Sequence, residues 1–504
     1  MRQHDEGSQR SPSGTRRKAP PLDAFDRVLT AALWGVVVGA ALLWVGVVGA
    51  RFGFPYELEW MEGGTLAHVR RVLSGEPVYA RPSLDFVAYM YPPLYYYAGA
   101  AVSLLFGEGF GPLRGLGIAA TIGCFGLLYR VTFRETGDVL AGALAAGLLA
   151  ASYAFTGAWL DLARLDAFYL FWLLLATERL TADETPVSAR QAGFALAVAF
   201  FVKQSVLVIA APVWVLLLWM DRRRAFAALV GAGVPIALGV FLLDWLHGGW
   251  FVYYTVQVPS GHPTQSGLAA EFWTHDLLGG FPVALFGAVT YCAVAWRGGH
   301  ARDVGLFAAL LVGALVATAS VRSAVGAHLN NLLPLVGVLG LVGGAAFAAA
   351  LREGGRVRRF ALLGALAQLL WLGYDPRPLV PTAADRAAGD ALVETIAGLD
   401  GEVFIPNHGY LARRAGKREF AHTLGIDNLL LDDLESDARR ELELDFLRHF
   451  RERRFGAVII DSDGRYAEFA EAFYGRGRPL FEEDDVFFSP SGGRIRPETL
   501  YLKP

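Results

Sequence analysis

Charged residues are scarce in this sequence of 504 residues. Asp, Glu, Lys and Arg make up 18% of the chain, whereas apolar residues make up 54%. A typical soluble domain has about 25% charged residues. The deficit is uneven, because long uncharged stretches fill the first three quarters of the chain and the part after residue 375 has an ordinary soluble composition. This distribution predicts a polytopic α-helical membrane protein with a small α/β soluble domain at its C-terminus.

The sequence also lacks a strong net charge and has few cysteines. A formal net charge of −3 gives no reason to expect nucleic acid as a partner. The two cysteines, Cys124 and Cys292, both fall in apolar stretches, so we expect small core residues and neither a disulfide nor a metal pair. No cofactor is required by the composition, although a divalent cation stays open.

Eleven apolar runs approach the length of about 20 residues that a helix needs to cross a bilayer. We predict spans at residues 28–50, 113–131, 139–158, 167–180, 191–202, 204–220, 225–244, 277–296, 304–320, 331–351 and 358–374. The chain then divides into a disordered tail at 1–27, a membrane domain at 28–374 and an α/β domain at 375–504. Long outer loops are expected at 51–112 and 245–276.

Basic residues cluster at alternate ends of these spans. Arg16–Lys18 place the N-terminus in the cytoplasm by the positive-inside rule, and Arg130, Arg222 and Arg352 then fall on the same side. This agreement predicts a multi-pass protein of the plasma (inner) membrane with its C-terminal domain outside. It requires the short run Pro92–Phe106 to lie in the outer leaflet; a kinked true span is the alternative.

Several carboxylates stand beside the apolar runs, where charge is costly and therefore suggests function. Glu57, Glu59 and Glu62 follow the first span directly. They are suited to general base catalysis or to a divalent cation; a solvated acid cluster at a helix start is the plain alternative. Asp161 and Asp166 lie between the third and fourth spans, where a local salt bridge could also explain them.

Cations and polar side chains accompany these acids on the predicted outer side. Arg164 lies between the two aspartates, and Lys203 lies at a tight outer turn where it could meet a phosphate; a lysine reaching toward the interface is the alternative. Arg322 suits a phosphate or carboxylate, and His328 and Asn330 suit sugar hydroxyls. Because all these polar groups fall on the same predicted side of the membrane, the sequence predicts an outward-facing surface site.

Two further groups complete the candidates. Tyr91 and Tyr95 flank a Pro-Pro step, where they could line a sugar or lipid groove or form an aromatic belt. In the C-terminal region, strand-like runs at 402–405 and 457–461 and a charged helix near 434–454 predict the α/β domain. Its residues His408, Asp461 and Asp463 are more readily interpreted as structural or acceptor-docking groups.

The ordered motifs resemble the GT-C superfamily of membrane glycosyltransferases, in particular its family 39 and aminoarabinose-transferase-like branch, which includes protein O-mannosyltransferases. The resemblance covers about residues 28–350. It is carried by the acids after the first helix, Ser74–Tyr79, Tyr91–Tyr96, Asp166, Lys203 and Asn330–Pro334. Two positions differ from the family pattern: Met61 stands where an acid usually precedes Glu62, and Tyr91 stands where the aminoarabinose branch has lysine.

The resemblance implies an inverting transferase that moves a sugar from a polyprenyl-phosphate donor to a lipid, glycan or protein acceptor. It assigns the general base to Glu62, with Glu59 as second choice. Asp166 would orient the acceptor, or bind a metal together with these two glutamates, and Lys203 and Arg322 would bind the donor phosphate. A lipid or glycan transporter (flippase) and a catalytically inactive scaffold are the competing interpretations.

Overall fold

A computed structural model of the chain describes residues 21–298, 301–430 and 436–504. Most of the predicted tail lies outside this part of the chain. Its last residues are helical, because the Asp23 side chain accepts a hydrogen bond from the Asp26 amide and caps the first helix, which begins at Ala24. The predicted boundary at residue 27 is therefore several residues too late.

Eleven helices follow the eleven predicted spans in order within the described residues. They are α1 (Ala24–Arg51), α4 (Phe110–Thr136), α5 (Val139–Ala151), α6 (Asp166–Ala182), α7 (Pro186–Val202), α8 (Val206–Met220), α9 (Arg222–Leu246), α10 (Pro282–Arg297), α11 (Ala301–Arg322), α12 (Leu333–Glu353) and α13 (Gly355–Trp371). Two further helices, α2 (Glu62–Leu73) and α3 (Leu94–Phe106), lie in the first predicted outer loop.

Length and composition identify the helices that can cross a bilayer alone. Five of those described pass this test, at Ala24–Arg51, Phe110–Thr136, Arg222–Leu246, Val304–Arg322 and Leu329–Glu353, and a sixth span results if the bent pair Ser266–Gly279 and Pro282–Arg297 counts as one. The protein is therefore a multi-pass membrane protein. The count of eleven crossings stays a prediction.

Two predicted spans have the wrong boundaries. The run 139–158 is helical only to Ala151 and continues as turns, with positive φ at Gly157 and Ala158. The run 277–296 contains an 89° bend before Pro282, where a new helix begins. Proline has no backbone N–H and favours the first turn of a helix, so it explains the second break.

Close backbone contacts hold neighbouring helices together. A Cβ atom at Gly193 of α7 would lie 2.1 Å from the carbonyl oxygen of Ala228 in α9, and one at Gly231 would lie 2.2 Å from that of Arg190. Only glycine permits this separation, as in many membrane helix pairs. Helix α12 is buried along most of its length and forms the centre of the bundle.

The helices alternate in direction, so the ends of some helices and the beginnings of others lie at the same end of the bundle. We call the end that contains Arg51, Asp166 and Lys203 the site end. Helices α1, α5, α7 and α11 end there, and α4, α6, α8 and α12 begin there. Contacts at the opposite end include Arg358 to Asp26 and Arg134 to Glu178. The site end is the predicted outer side, and its orientation in the membrane stays a prediction.

Helix α3 is too short to cross a membrane by itself. Its 13 residues span about 20 Å at 1.5 Å per residue, against about 30 Å of hydrocarbon. Its tip, Leu104–Phe106, is at least 76% exposed although it is apolar. These features agree with the predicted position in the outer leaflet, which stays a prediction.

The C-terminal region has the predicted α/β character. Strands β1 (Val403–Phe404), β2 (Ala457–Asp461), β3 (Arg478–Pro479) and β4 (Pro497–Leu502) form one sheet in the order β1-β2-β4-β3, with β1 and β2 parallel and the other pairs antiparallel. The helices are α14 (Ala383–Ala397), α15 (Gly409–Arg414), α16 (Thr423–Leu430), α17 (Asp437–Arg451) and α18 (Ala467–Tyr474). Residues 434 and 435 of the predicted charged helix lie outside the described residues.

Candidate active site

Most of the charged residues predicted from the sequence are buried at the site end. Each of the following is less than 10% exposed: Glu57, Glu59, Glu62, Asp161, Arg164, Asp166, Lys203 and Arg322. A buried charge is costly unless it is paired or hydrogen-bonded. The partners of each side chain therefore show which groups stabilise the fold and which remain available to bind a substrate or to accept a proton.

Both carboxylate oxygens of Glu62 accept hydrogen bonds that stabilise the fold. Arg114 of α4 binds it through two nitrogens, at 3.1 Å and 2.6 Å, and the amides of Leu58 and Ala163 donate to the same carboxylate. Burial alone would raise the pKa of Glu62, but Arg114 and these amides lower it below its ordinary value. Glu62 thus joins the first loop to α4 and to the segment before α6.

Glu59 has the opposite character. One carboxylate oxygen, Oε2, accepts from the Met61 amide at 3.1 Å and lies 3.8 Å from Arg164 Nε, whereas Oε1 has no hydrogen-bond partner among the residues that the structure describes. Burial, assisted by the neighbouring acids Glu62 and Glu57, raises the pKa of Glu59 well above its ordinary value despite Arg164. An unpartnered buried acceptor needs an explanation, and a proton-accepting role provides one.

Aromatic rings position Arg164 beside Glu59. Its Nη1 donates to Thr65 Oγ1 at 3.0 Å, and its guanidinium carbon lies within 6 Å of the ring centres of Tyr89, Tyr91 and Trp159. The Tyr91 ring also lies 5.8 Å from Lys203 Nζ. The ring therefore connects the Glu59 side of the site to its Lys203 side.

Asp166 and Lys203 form a second polar group where α6 begins and α7 ends. Asp166 Oδ1 accepts from Lys203 Nζ at 3.2 Å and from Asn330 Nδ2 at 2.9 Å, and Oδ2 has no partner. Lys203 Nζ also donates to Asn331 Oδ1 at 2.8 Å. The structure thus brings together three of the predicted residues, together with Asn331.

Arg322 and His328 lie on the neighbouring segment between α11 and α12. Arg322 Nε binds Asp276 Oδ2 at 2.7 Å, and its Nη1 donates to the carbonyl of Ala327. The His328 ring lies 6.2 Å from the rings of both Trp60 and Trp159. Burial, together with Arg164 and Arg322, lowers the pKa of His328 to about 4, so its imidazole is neutral at physiological pH.

The side chains of two predicted binding residues, Asp161 and Tyr95, form hydrogen bonds within the protein. Asp161 accepts from Arg51 at 2.7 Å and 3.0 Å and from the Tyr153 hydroxyl at 2.8 Å, so its salt bridge is formed with α1 and is not the local one considered from the sequence. Tyr95 is fully buried, and its hydroxyl donates to the Leu113 carbonyl at 3.4 Å. Neither side chain offers a free polar atom to a ligand.

The C-terminal region contributes directly to the same loop. His408 Nδ1 forms a hydrogen bond with Glu57, and His408 Nε2 lies 2.9 Å from Asp461 Oδ2. Burial disfavours the charged ring, but Asp461 and Glu57 outweigh it and raise the pKa of His408 to about 10. The third tempting residue, Asp463, lies outside this triad and accepts from the Arg465 amide.

Metal binding at the site depends on whether the acids lie close enough together to share an ion. In residues 21–298, 301–430 and 436–504, no group of three His, Cys, Asp or Glu side chains is placed to hold a metal ion. The predicted set of Glu59, Glu62 and Asp166 is not such a group, because each acid faces a cationic side chain instead. The residues present therefore do not fit the predicted divalent cation.

Sequence reasoning missed two partners that organise the site, Arg114 and Asp276. Arg114 stands at the start of an apolar helix, and an arginine in that position was the one available signal. Asp276 lies in the second predicted outer loop, and its pairing with Arg322 depends on a contact 46 residues apart. Asn331 was visible beside Asn330 but could not be connected to Lys203.

Comparison with known proteins gives a structural relationship only. No family model and no curated protein matches this sequence. The structure of ArnT from Cupriavidus metallidurans bound to undecaprenyl phosphate matches with a TM-score of 0.58 at 14% identity, over 94% of this chain and 98% of that chain. The chain has the GT-C fold. The resemblance noted in the sequence motifs is confirmed at the level of the fold.

A second GT-C structure supports this conclusion. The oligosaccharyltransferase AglB from Archaeoglobus fulgidus, in complex with an inhibitory peptide and a dolichol-phosphate, matches with a TM-score of 0.54 at 13% identity. The match covers 90% of this chain and 72% of that chain. The ArnT match includes nearly the full length of both chains, so most of the C-terminal region is part of the structural similarity.

Proposed function

We propose that this protein is an inverting glycosyltransferase that moves a sugar from a polyprenyl-phosphate donor to an acceptor hydroxyl on the outer face of the plasma membrane. The observation that supports it best is the unpartnered Oε1 of buried Glu59, connected through Arg164 and Tyr91 to the cationic Lys203. The fold neighbours bind undecaprenyl phosphate and dolichol-phosphate, which agrees with a donor of this class.

Lys203 is the proposed site for the donor phosphate. It lines a small cavity together with Tyr169, Ser205 and Asn331 at the beginning of α8. Lys203, with the hydroxyl groups of Tyr169 and Ser205 nearby, can stabilise the negative charge that develops on a departing phosphate. Arg322 can add to this field, although its guanidinium is already bound to Asp276.

Glu59 is the proposed general base. The acceptor oxygen attacks the anomeric carbon on the face opposite the phosphate, while Glu59 Oε1 takes the hydroxyl proton. The bond between the anomeric carbon and the phosphate oxygen breaks, and the polyprenyl phosphate leaves with the electron pair. One direct displacement inverts the anomeric configuration. Burial raises the pKa of Glu59 and makes its carboxylate a stronger base, whereas Arg164 favours the ionised form that can accept the proton.

Glu62 was the first choice for the base from the family resemblance. Its carboxylate already accepts four hydrogen bonds from Arg114 and two amides, so an acceptor hydroxyl would have to displace one of them. The contacts therefore favour Glu59 as the base. Glu62 and Arg114 then hold the loop that carries Glu59.

The donor assignment can be tested in vesicles that contain purified protein, a panel of polyprenyl-phosphate sugars and a cell-envelope extract that supplies acceptor hydroxyls. We expect wild type to release polyprenyl phosphate. Lys203→Gln, which keeps a donor for Asp166 but removes the charge, should lower kcat by about 10²–10³-fold. Lys417→Gln is the matched control, because Lys417 bonds only to carbonyls of the C-terminal region.

Two results would contradict the proposal. One is an absence of release by wild type with every sugar in the panel, which would favour the inactive scaffold. The other is a Lys203→Gln protein as active as wild type, which would show that the phosphate binds elsewhere.

A further inference from the structure

A loop of the C-terminal region, residues 489–493, lies directly on the candidate base. The Ser491 amide donates to the Leu58 carbonyl at 2.9 Å, and the Gly492 amide donates to the Gly157 carbonyl at 3.3 Å. The Ser491 hydroxyl donates to the Ala158 carbonyl, also at 3.3 Å. The 489–493 loop therefore bridges the segment that carries Glu59 and the turns that follow α5.

Gly492 is adjacent to the unpartnered atoms of the site. It has a φ of +68°, and a Cβ atom there would lie 3.0 Å from Glu59 Cγ and 3.4 Å from both Glu59 Oε1 and Trp159 Cζ2. Neither Glu59 Oε1 nor Trp159 Nε1 has a hydrogen-bond partner. The loop thus covers two buried polar atoms that have no hydrogen-bond partner among the described residues.

Glu59 is 0% exposed, so no acceptor can reach Oε1 while its surroundings stay in place. Two neighbouring segments are fixed by buried ion pairs: Glu62 joins the first loop to Arg114, and Asp161 joins the turns after α5 to Arg51. Breaking such a pair leaves an uncompensated buried charge. The 489–493 loop is held on this side by three neutral hydrogen bonds, whose loss leaves no unpaired charge. It is therefore more weakly held than these two segments.

We propose that the 489–493 loop is the gate of the acceptor subsite, and that Gly492 determines which acceptors fit when the gate closes. The loop opens to admit an acceptor hydroxyl to Glu59 and closes over it to exclude water. The absence of a side chain at Gly492 leaves the space beside Glu59 Oε1 that the hydroxyl occupies. The role of the gate in transfer rests on the proposed function, whereas its control of access to Glu59 does not.

Gly492→Ala tests the gate with two independent readouts. The added methyl group presses on Glu59, so we expect kcat/KM for the acceptor to fall at least tenfold while the donor KM is unchanged. The same pressure displaces the loop, so labelling of Glu59 by dicyclohexylcarbodiimide, located by mass spectrometry, should rise several-fold. Gly475→Ala is the matched control, because Gly475 also has positive φ (+81°) but has no atom within 4 Å of its Cβ position.

The outcomes separate the gate from the proposed function. Increased labelling in Gly492→Ala, with no transfer by wild type from any donor, supports the gate and contradicts the transferase. Labelling and kinetics equal to wild type overturn the gate, and so do equal effects of Gly492→Ala and Gly475→Ala, which would reflect backbone strain. If Gly492→Ala does not fold, Ser491→Ala decides: the loss of its bond to Ala158 should increase Glu59 labelling, and unchanged labelling overturns the gate.

Discussion

The two neighbouring glutamates Glu59 and Glu62 show how burial divides one motif into two roles. Both are fully buried, yet Glu62 has a bidentate arginine and Glu59 has an oxygen without a partner. Their sequence positions do not distinguish them, because the arginine lies 52 residues away on α4. The candidate acids were predictable from the sequence, whereas their ranking depended on contacts that only the fold creates.

The Glu62–Arg114 pair should matter for stability. Glu62→Gln or Arg114→Gln leaves a buried charge without its partner, so we expect the free energy of unfolding to fall by about 3–5 kcal/mol. Denaturant or thermal unfolding in detergent would measure it. Glu441→Gln is the control, because Glu441 pairs with Arg81 at an exposed position and should change stability by less than about 1 kcal/mol. A Glu62→Gln protein as stable as this control would contradict the structural role.

At the scale of elements, apolar runs located the helices well and their ends less well. The run 139–158 is uniformly apolar, but its last residues form turns because Gly157 and Ala158 adopt positive φ, which composition does not reveal. The predicted strands at 402–405 and 457–461 are confirmed as β1 and β2. Strand β4 was missed because its pairing with β2 involves residues about 40 positions apart.

The Glu57–His408–Asp461 triad joins the first loop to the C-terminal sheet and should make that contact sensitive to pH. The folded pKa of His408 is raised from 6.5 to about 10, so its stabilising contribution is complete below about pH 6.5 and is lost as the pH rises through about 10. Hydrogen exchange of the C-terminal region, expressed relative to the intrinsic base-catalysed rate at each pH, should therefore accelerate over this window.

His408→Gln should remove most of this pH dependence, since a glutamine carries no titrating charge. Exchange in the variant is expected to be faster at pH 6.5 and nearly constant up to pH 10. A wild-type profile that is flat between these values, or one identical to that of His408→Gln, would contradict the account of the triad.

Across the whole molecule, the helix directions bring the candidate catalytic groups to the site end, as the charge distribution along the sequence predicted. The side of the membrane that this end faces stays a prediction. The contribution of the C-terminal region could not be predicted, because His408 and Gly492 meet Glu57 and Glu59 across more than 350 residues of chain. The active site is therefore proposed to be shared by both regions.

The rate of sugar transfer by Glu59→Gln, compared with wild type at equal donor binding, tests the central claim most directly. In vesicles containing a polyprenyl-phosphate sugar and its acceptor, the account predicts a loss of about 10²–10⁴-fold in kcat, as expected for removal of a general base. Donor KM should stay near the wild-type value, because the proposed phosphate-binding group is Lys203 and not Glu59. Loss of the buried pair with Arg164 lowers thermal stability, so the comparison is made below the unfolding temperature of the variant. A Glu59→Gln protein that transfers sugar at the wild-type rate would contradict the account.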